Sequence, residues 1–150
     1  MHKLAFDTYQ FQIKNSENGR QIFDVIRKKF VTLAPEEWVR QHVVQFLLRE
    51  KNAPKSWINV EKQFTLSGLS KRFDVVLFRS DGSAQLIVEC KAPLIPINQK
   101  VFDQIARYNQ KFQATYMMVT NGLEHYYCTF DHVNKKYNFL AELPDLSIKN

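Results

Sequence analysis

Apolar and polar residues alternate along this chain with two periods, and the switches between them divide it into elements. From 73 to 79 (Phe73-Asp74-Val75-Val76-Leu77-Phe78-Arg79) and from 84 to 91 (Ala84-Gln85-Leu86-Ile87-Val88-Glu89-Cys90-Lys91) run two apolar segments of strand length. Asp81-Gly82 between them is a strong hairpin signal. Residues 58 to 66 alternate as a strand, and Ser67-Gly68-Leu69-Ser70 turns into the strand that carries Asp74. A helix is predicted from 35 to about 51: Pro35 suits a first helical turn, Glu36 and Glu37 complement the macrodipole there, and Val39, Val43, Phe46 and Leu47 supply the apolar stripe. Pro93 and Pro96 break the chain, and Asn98 caps a second helix whose Val101, Ile105, Tyr108 and Phe112 recur at helical spacing. Residues 116 to 120 and 124 to 130 form strands about Asn121-Gly122-Leu123, and 137 to 140 a short last one. An N-terminal β-hairpin is predicted from 9 to 13 and 21 to 26. These elements make a mixed α/β fold, and with no linker, repeat or low-complexity tract residues 1 to 150 are expected to be one domain.

Within this pattern three ionisable residues stand where a buried strand pair should have none. If Asp81-Gly82 is a two-residue loop, Ser80 faces Ser83, and counting outward sets Asp74 opposite Glu89. Lys91, two residues on, shares the Glu89 face. Opposed side chains have Cβ atoms about 4.5 to 5.5 Å apart. At an effective dielectric of about 20, two carboxylates about 5 Å apart repel by roughly 3 kcal/mol. Lys91 offsets part of that, and a divalent cation with oxygen ligands would offset the rest. A solvated strand-end ion pair is the bland reading, but the flanking residues Val75, Val76, Leu77, Ile87 and Val88 are apolar on both faces, which favours a buried site.

Asp74, Glu89-Cys90-Lys91 and the strand-turn-strand between them resemble the core of the PD-(D/E)XK nucleases, with Phe73 where the motif's proline usually stands. Gln104 and Tyr108, one turn apart on the second helix, resemble the QxxxY element of the RecB-like branch. Together with residues 35 to 41, 71 to 74, 88 to 93, 101 to 109 and 119 to 128, they make the chain similar, from about 20 to 143, to the N-terminal nuclease-type domain of type I restriction enzyme R subunits. That resemblance implies a restriction-endonuclease-like core, a central mixed β-sheet flanked by helices. It implies a Mg²⁺-dependent deoxyribonuclease, an endonuclease rather than an exonuclease, in which Mn²⁺ can substitute. Asp74 and Glu89 would bind the metal, with the Cys90 backbone carbonyl and Glu37 as further ligands. Lys91 would position or activate the attacking water, and Gln104 and Tyr108 would lie beside the DNA backbone.

Composition agrees. Of 150 residues 45% are hydrophobic, enough for one core, and 21 Lys and Arg exceed 15 Asp and Glu. The isoelectric point of about 9.3 suits a nucleic-acid binder. Lys71, Arg72, Arg107 and Lys111 flank the candidate site, where phosphate contacts would dominate affinity. Cys90 and Cys128 lie in apolar strands without CxxC spacing, so buried free thiols are expected. His42, His125 and His132 have no metal-ligand spacing and are read as structural or surface residues, and Trp38 and Trp57 as packing. No signal-peptide core and no apolar run of about 20 residues is visible, so a soluble cytoplasmic protein away from membranes is expected. The chain contains no GxxxxGK[ST] phosphate loop. It is therefore expected to act on DNA alone or with other restriction-system subunits or a motor encoded separately. The alternative to a nuclease is a non-catalytic nucleic-acid-binding or interaction module that keeps the fold.

Overall fold

The structure is a computed structural model and describes residues 1 to 131 and 133 to 147; His132 lies outside the described residues. Its centre is a six-stranded mixed sheet. The strands are β4 (Ile58–Leu66), β5 (Leu69–Phe78), β6 (Ala84–Cys90), β7 (Tyr116–Thr120), β8 (His125–Asp131) and β9 (Lys136–Leu140), neighbours in chain order. All pairs are antiparallel except β6 and β7, whose parallel pairing uses the helix α2 (Gln99–Phe112) as its crossover. Asn98 caps α2 by accepting from the Lys100 and Val101 amides, as its sequence position predicts.

The two helices cover opposite faces. Under α1 (Pro35–Glu50) lie Val39, Val43 and Leu47 against Val75, Leu77, Leu86 and Val88. Under α2 lie Ile105 and Tyr108 against Phe73, Val76, Ile87 and Met117. These residues bury their side chains almost completely. Burial on both faces explains why β5 and β6 read as continuous apolar runs rather than as alternations.

The N-terminal hairpin is corrected to a three-stranded antiparallel sheet of β1 (Ile13–Ser16), β2 (Gly19–Asp24) and β3 (Lys29–Thr32). The first pair closes through a tighter turn than the Asn/Gly-rich stretch suggested. The third strand was hidden by its brevity and by the basic run Arg27-Lys28-Lys29. Upstream, Leu4 is buried beside Gly122, and the Ala5 amide donates to the Gly122 carbonyl at 2.7 Å. Gly122 has φ of +86°, and a Cβ there would stand 2.8 Å from Leu4 Cδ2. Gly122→Ala should therefore destabilise the protein by about 1 to 3 kcal/mol, read as a lowered midpoint in urea.

The β5–β6 turn also differs from its prediction. The Arg79 amide donates to Ser83 O and the Gly82 amide to Arg79 O, so the loop has three residues, 80 to 82, rather than two. Phe78 pairs with Ala84 and Leu77 with Leu86, which leaves Gln85 as an extra residue, a β-bulge. The longer loop and the bulge compensate each other. Beyond them the pairs Leu77↔Leu86, Val76↔Ile87 and Val75↔Val88 follow the expected register.

Candidate active site and its ion network

At Asp74 the regular sheet gives way. The β5–β6 pairing ends at Val75↔Val88, so Asp74 and Glu89 are not a ladder pair as the sequence suggested. Phe73 and Val76, three residues apart, both pack under α2, which means that strand alternation is interrupted at Asp74. On the other side, between the pairs Val60↔Val75 and Lys62↔Phe73, Glu61 has a left-handed backbone with φ of 55°. Such a conformation in a non-glycine residue inside a strand is a strained feature of the kind that gathers at functional sites. In this opening the Asp74 carboxylate takes the place of a backbone partner. Its Oδ2 accepts from the Cys90 amide at 2.7 Å, and its Oδ1 accepts from Arg40 Nη2 at 2.7 Å.

Glu89 remains an electrostatic neighbour of Asp74. Burial pushes its pKa up, the Asp74 charge adds to this, and Lys91 opposes both, leaving it at about 8. Lys91 Nζ stands 3.5 Å from Glu89 Oε1. The three residues of the D and ExK elements are thus brought together where β5, in mid-strand at Asp74, leaves the end of β6. Burial raises the thiol pKa of Cys90, which is fully enclosed, and Cys128 is likewise a buried free cysteine.

The two first-turn glutamates of α1 separate. Glu37 is buried and engaged by Arg27 Nη2 at 2.9 Å on both oxygens, by Arg40 Nη1 at 2.6 Å and by Gln41 Nε2 at 3.0 Å. Glu36 is half exposed, and its pKa is raised by burial and by the charge of Asp74, against the pull of Arg40 and Lys91. Glu89 in turn feels the charge of Glu36. Of the two, Glu36 is the carboxylate that bears on the Asp74, Glu89 and Lys91 group.

Arg27, Arg40 and Glu61 complete a network that sequence reading missed. Arg27 pairs with Asp24, Glu37 and Glu61 at 2.6, 2.9 and 2.9 Å. Arg40 pairs with Glu36, Glu37 and Asp74, and Arg72 Nη1 lies 3.6 Å from Glu61 Oε2. Burial alone would lower the Arg40 pKa; Asp74 and then Glu37 hold it above its ordinary value. The one available signal for Arg40 was its spacing, one turn after two first-turn acids on the same helix.

On the α2 face an open cleft of about 630 Å³ is lined by Gln63, Ser70, Lys71, Arg72, Glu89, Gln104 and Tyr108. The fold therefore collects five residues predicted from three separate segments: Lys71 and Arg72, Glu89, and Gln104 and Tyr108. Gln104 Nε2 donates to Tyr108 Oη at 3.0 Å, and the Tyr108 ring packs edge-on against Phe64 and Phe73, next to Asp74. Arg107 and Lys111 do not line the cleft. Both are exposed on α2, with the Arg107 guanidinium 6.0 Å from the Tyr108 ring centre.

These residues fit a divalent cation as a two-carboxylate site. Among the described residues no three His, Cys, Asp or Glu side chains converge to enclose an ion. Mg²⁺, however, characteristically takes one or two carboxylates and completes its shell with water and phosphate oxygens. Asp24, Glu36, Glu37, Glu61, Asp74 and Glu89 face Arg27, Arg40, Arg72 and Lys91, so acids outnumber bases in the cluster even with Glu89 protonated, which favours an added cation. The histidines take structural parts: His42 Nδ1 lies 2.8 Å from Trp38 O, and His125 bridges Thr120 Oγ1 and Ala5 O.

The family model for the type I restriction enzyme R protein N terminus (HSDR_N) matches residues 35–144. The chain belongs to this family. The match begins at the first residue of α1, so Asp24 and Arg27 of this R-protein N-terminal domain come from β2 and the turn after it, outside the matched region. No match is found among curated proteins. The fragment structure of a putative HsdR subunit of a type I restriction enzyme from Vibrio vulnificus YJ016 shares the fold, with a TM-score of 0.53 and 23% identity over 77% of this chain. The chain spans 24% of the length of that protein. Among the described residues of the R-protein N-terminal domain no helix is long and apolar enough to cross a membrane.

Proposed function

We propose that this domain hydrolyses DNA phosphodiester bonds with Mg²⁺, for which Mn²⁺ can substitute, held by Asp74 and Glu89. The observation that carries the reading is the Glu89 carboxylate, buried beside the like charge of Asp74, paired with Lys91 and opening on a cleft with basic walls. A divalent cation bound there would polarise the phosphate and lower the pKa of a bound water.

The remaining work falls to the chain's own residues. Lys91 holds the attacking water in line and offsets negative charge growing at the phosphate. The Cys90 carbonyl is a further oxygen donor beside the two carboxylates. Glu36 supplies the rim carboxylate for which Glu37 was the sequence candidate, since Glu37 is committed to two arginines and a glutamine. Gln104, Tyr108, Lys71 and Arg72 contact the backbone along the cleft, while Arg107 and Lys111 extend the basic surface along α2. An open cleft admits the interior of a strand, in keeping with endonuclease action. The free cysteines suit the cytoplasm. Membership of the R-protein N-terminal family supports DNA and other restriction-system subunits or a motor as its partners.

One observation favours the second reading, a non-catalytic nucleic-acid-binding module: Arg40 already supplies a cation to Asp74. Calorimetric titration of Mg²⁺ and Mn²⁺ into wild type, Asp74→Asn and Glu89→Gln separates the two. The nuclease requires binding to wild type and a loss of at least about tenfold in each variant, since even outer-shell changes cost that much. Undiminished binding in both variants would put the metal elsewhere.

A further inference from the structure

Arg40 is the cation most deeply set in the acid cluster, with a side chain only 6% exposed. Its Nη2 is shared among Asp74 Oδ1 at 2.7 Å, Glu36 Oε2 at 3.2 Å and Glu61 Oε1 at 3.8 Å, while Nη1 donates to Glu37 at 2.6 Å. Its Nε is buried without an acceptor among the described residues. A guanidinium ordinarily satisfies its whole donor fork when buried. Both terminal nitrogens are turned onto carboxylates, the charge-assisted contacts that hold the side chain in the cluster.

Orientation of Asp74 does not need this contact, because the Cys90 amide already fixes its other oxygen. What Arg40 adds is a positive charge on the same carboxylate that the proposed metal would use. A guanidinium and a divalent ion on one carboxylate repel each other. Two alternative acceptors for Nη2, on Glu36 and Glu61, lie within an ångström or so of its present contact distance.

We propose that Arg40 is a resident counter-cation: it holds the acid cluster together before metal arrives, competes with the divalent ion for Asp74, and yields Asp74 by moving onto Glu36 and Glu61. This rests on the metal-site reading above. It makes Arg40 a positioning residue that sets metal affinity.

The test is Mn²⁺ titration calorimetry and thermal melting, with and without Mn²⁺, on the whole chain as wild type, Arg40→Gln, Arg40→Lys and Asp74→Asn. Arg40→Gln should melt below wild type in EDTA, regain more on adding Mn²⁺, and bind Mn²⁺ at least about tenfold more tightly. A unit charge a few ångströms from a divalent ion, in a partly buried site, is worth more than that factor. Arg40→Lys, which cannot span Glu37 and Asp74 at once, should bind a few-fold more tightly than wild type. Equal or weaker Mn²⁺ binding by Arg40→Gln overturns the proposal. If Arg40→Gln folds only with Mn²⁺, that supports it; if it folds in neither condition, Arg40→Lys decides, and equal or weaker binding there overturns it. Should wild type bind no Mn²⁺, or Asp74→Asn bind as tightly as wild type, the metal site itself fails. Intact binding lost in Asp74→Asn with no gain in the Arg40 variants fails this proposal alone.

Discussion

Lys91→Ala should slow Mg²⁺-dependent DNA cleavage by about 10²- to 10³-fold while leaving metal binding intact or slightly tightened. The ammonium lies at the end of β6, about a quarter exposed, and pairs with Glu89. In the proposed reaction, removing it takes away positive charge at the reacting phosphate without removing a ligand oxygen. The same removal lessens repulsion of the cation, so affinity for metal does not fall. The melting temperature should change little, and the loss should appear in the single-turnover rate rather than in DNA or metal affinity. A parallel loss of rate and fold would instead mark Lys91 as a structural cation.

Asp24→Ala should be the most damaging change to stability, about 3 to 5 kcal/mol by chemical denaturation, as expected when one partner of a buried ion pair is deleted. Asp24 has no exposed surface. Its Oδ1 accepts from the Ile26 and Arg27 amides and its Oδ2 from Arg27 Nε and Gln41 Nε2. Truncation would strand two amides and loosen Arg27, which in turn holds Glu37 and Glu61. Burial alone would raise the Asp24 pKa, but the amide and side chain of Arg27 hold it below its ordinary 3.8. The folded value is therefore the lower one. Stability from this group is fully present above about pH 3.8 and disappears as pH falls through the folded value. Asp24→Asn, which cannot ionise, should lack this part of the acid dependence, and the stability gap between it and wild type should narrow in acid.

The elements whose burial is regular were legible in the sequence. Strand boundaries at 58 to 66 and 116 to 120, and the cap at Asn98, agree with the structure because periodicity, capping and turn chemistry are local properties. The register of β5 on β6 was reached through two departures that cancel, a longer loop and a bulge at Gln85, neither of which the apolar pattern encodes. D, ExK and QxxxY could be found because their spacing is carried within single elements. Arg27, Arg40 and Glu61 could not, since the pairs that join the network, Arg27 to Glu37 and Glu61 and Arg40 to Asp74, span 10 to 34 residues and depend on tertiary placement. Choosing between Glu36 and Glu37 had the same obstacle: adjacent residues on a helix point about 100° apart, and only the packed position of α1 decides which one faces Asp74.

A consequence is that the candidate site is not confined to the region shared with the family. Asp24 and Arg27 belong to β2 and its following turn, ahead of residue 35, and they anchor Glu37, which anchors Arg40 on Asp74. A fragment beginning at α1 would lack the first two members of this chain of alternating charge.

A divalent-metal nuclease site of Asp74, Glu89 and Lys91 is tested by cleavage of plasmid DNA by wild type and Lys91→Ala side by side, in Mg²⁺ and in EDTA. Nicking or linearisation by wild type in Mg²⁺ only, reduced about 10²-fold or more in Lys91→Ala, is the expected result. Equal cleavage by the two proteins, or cleavage that persists undiminished in EDTA, would contradict it.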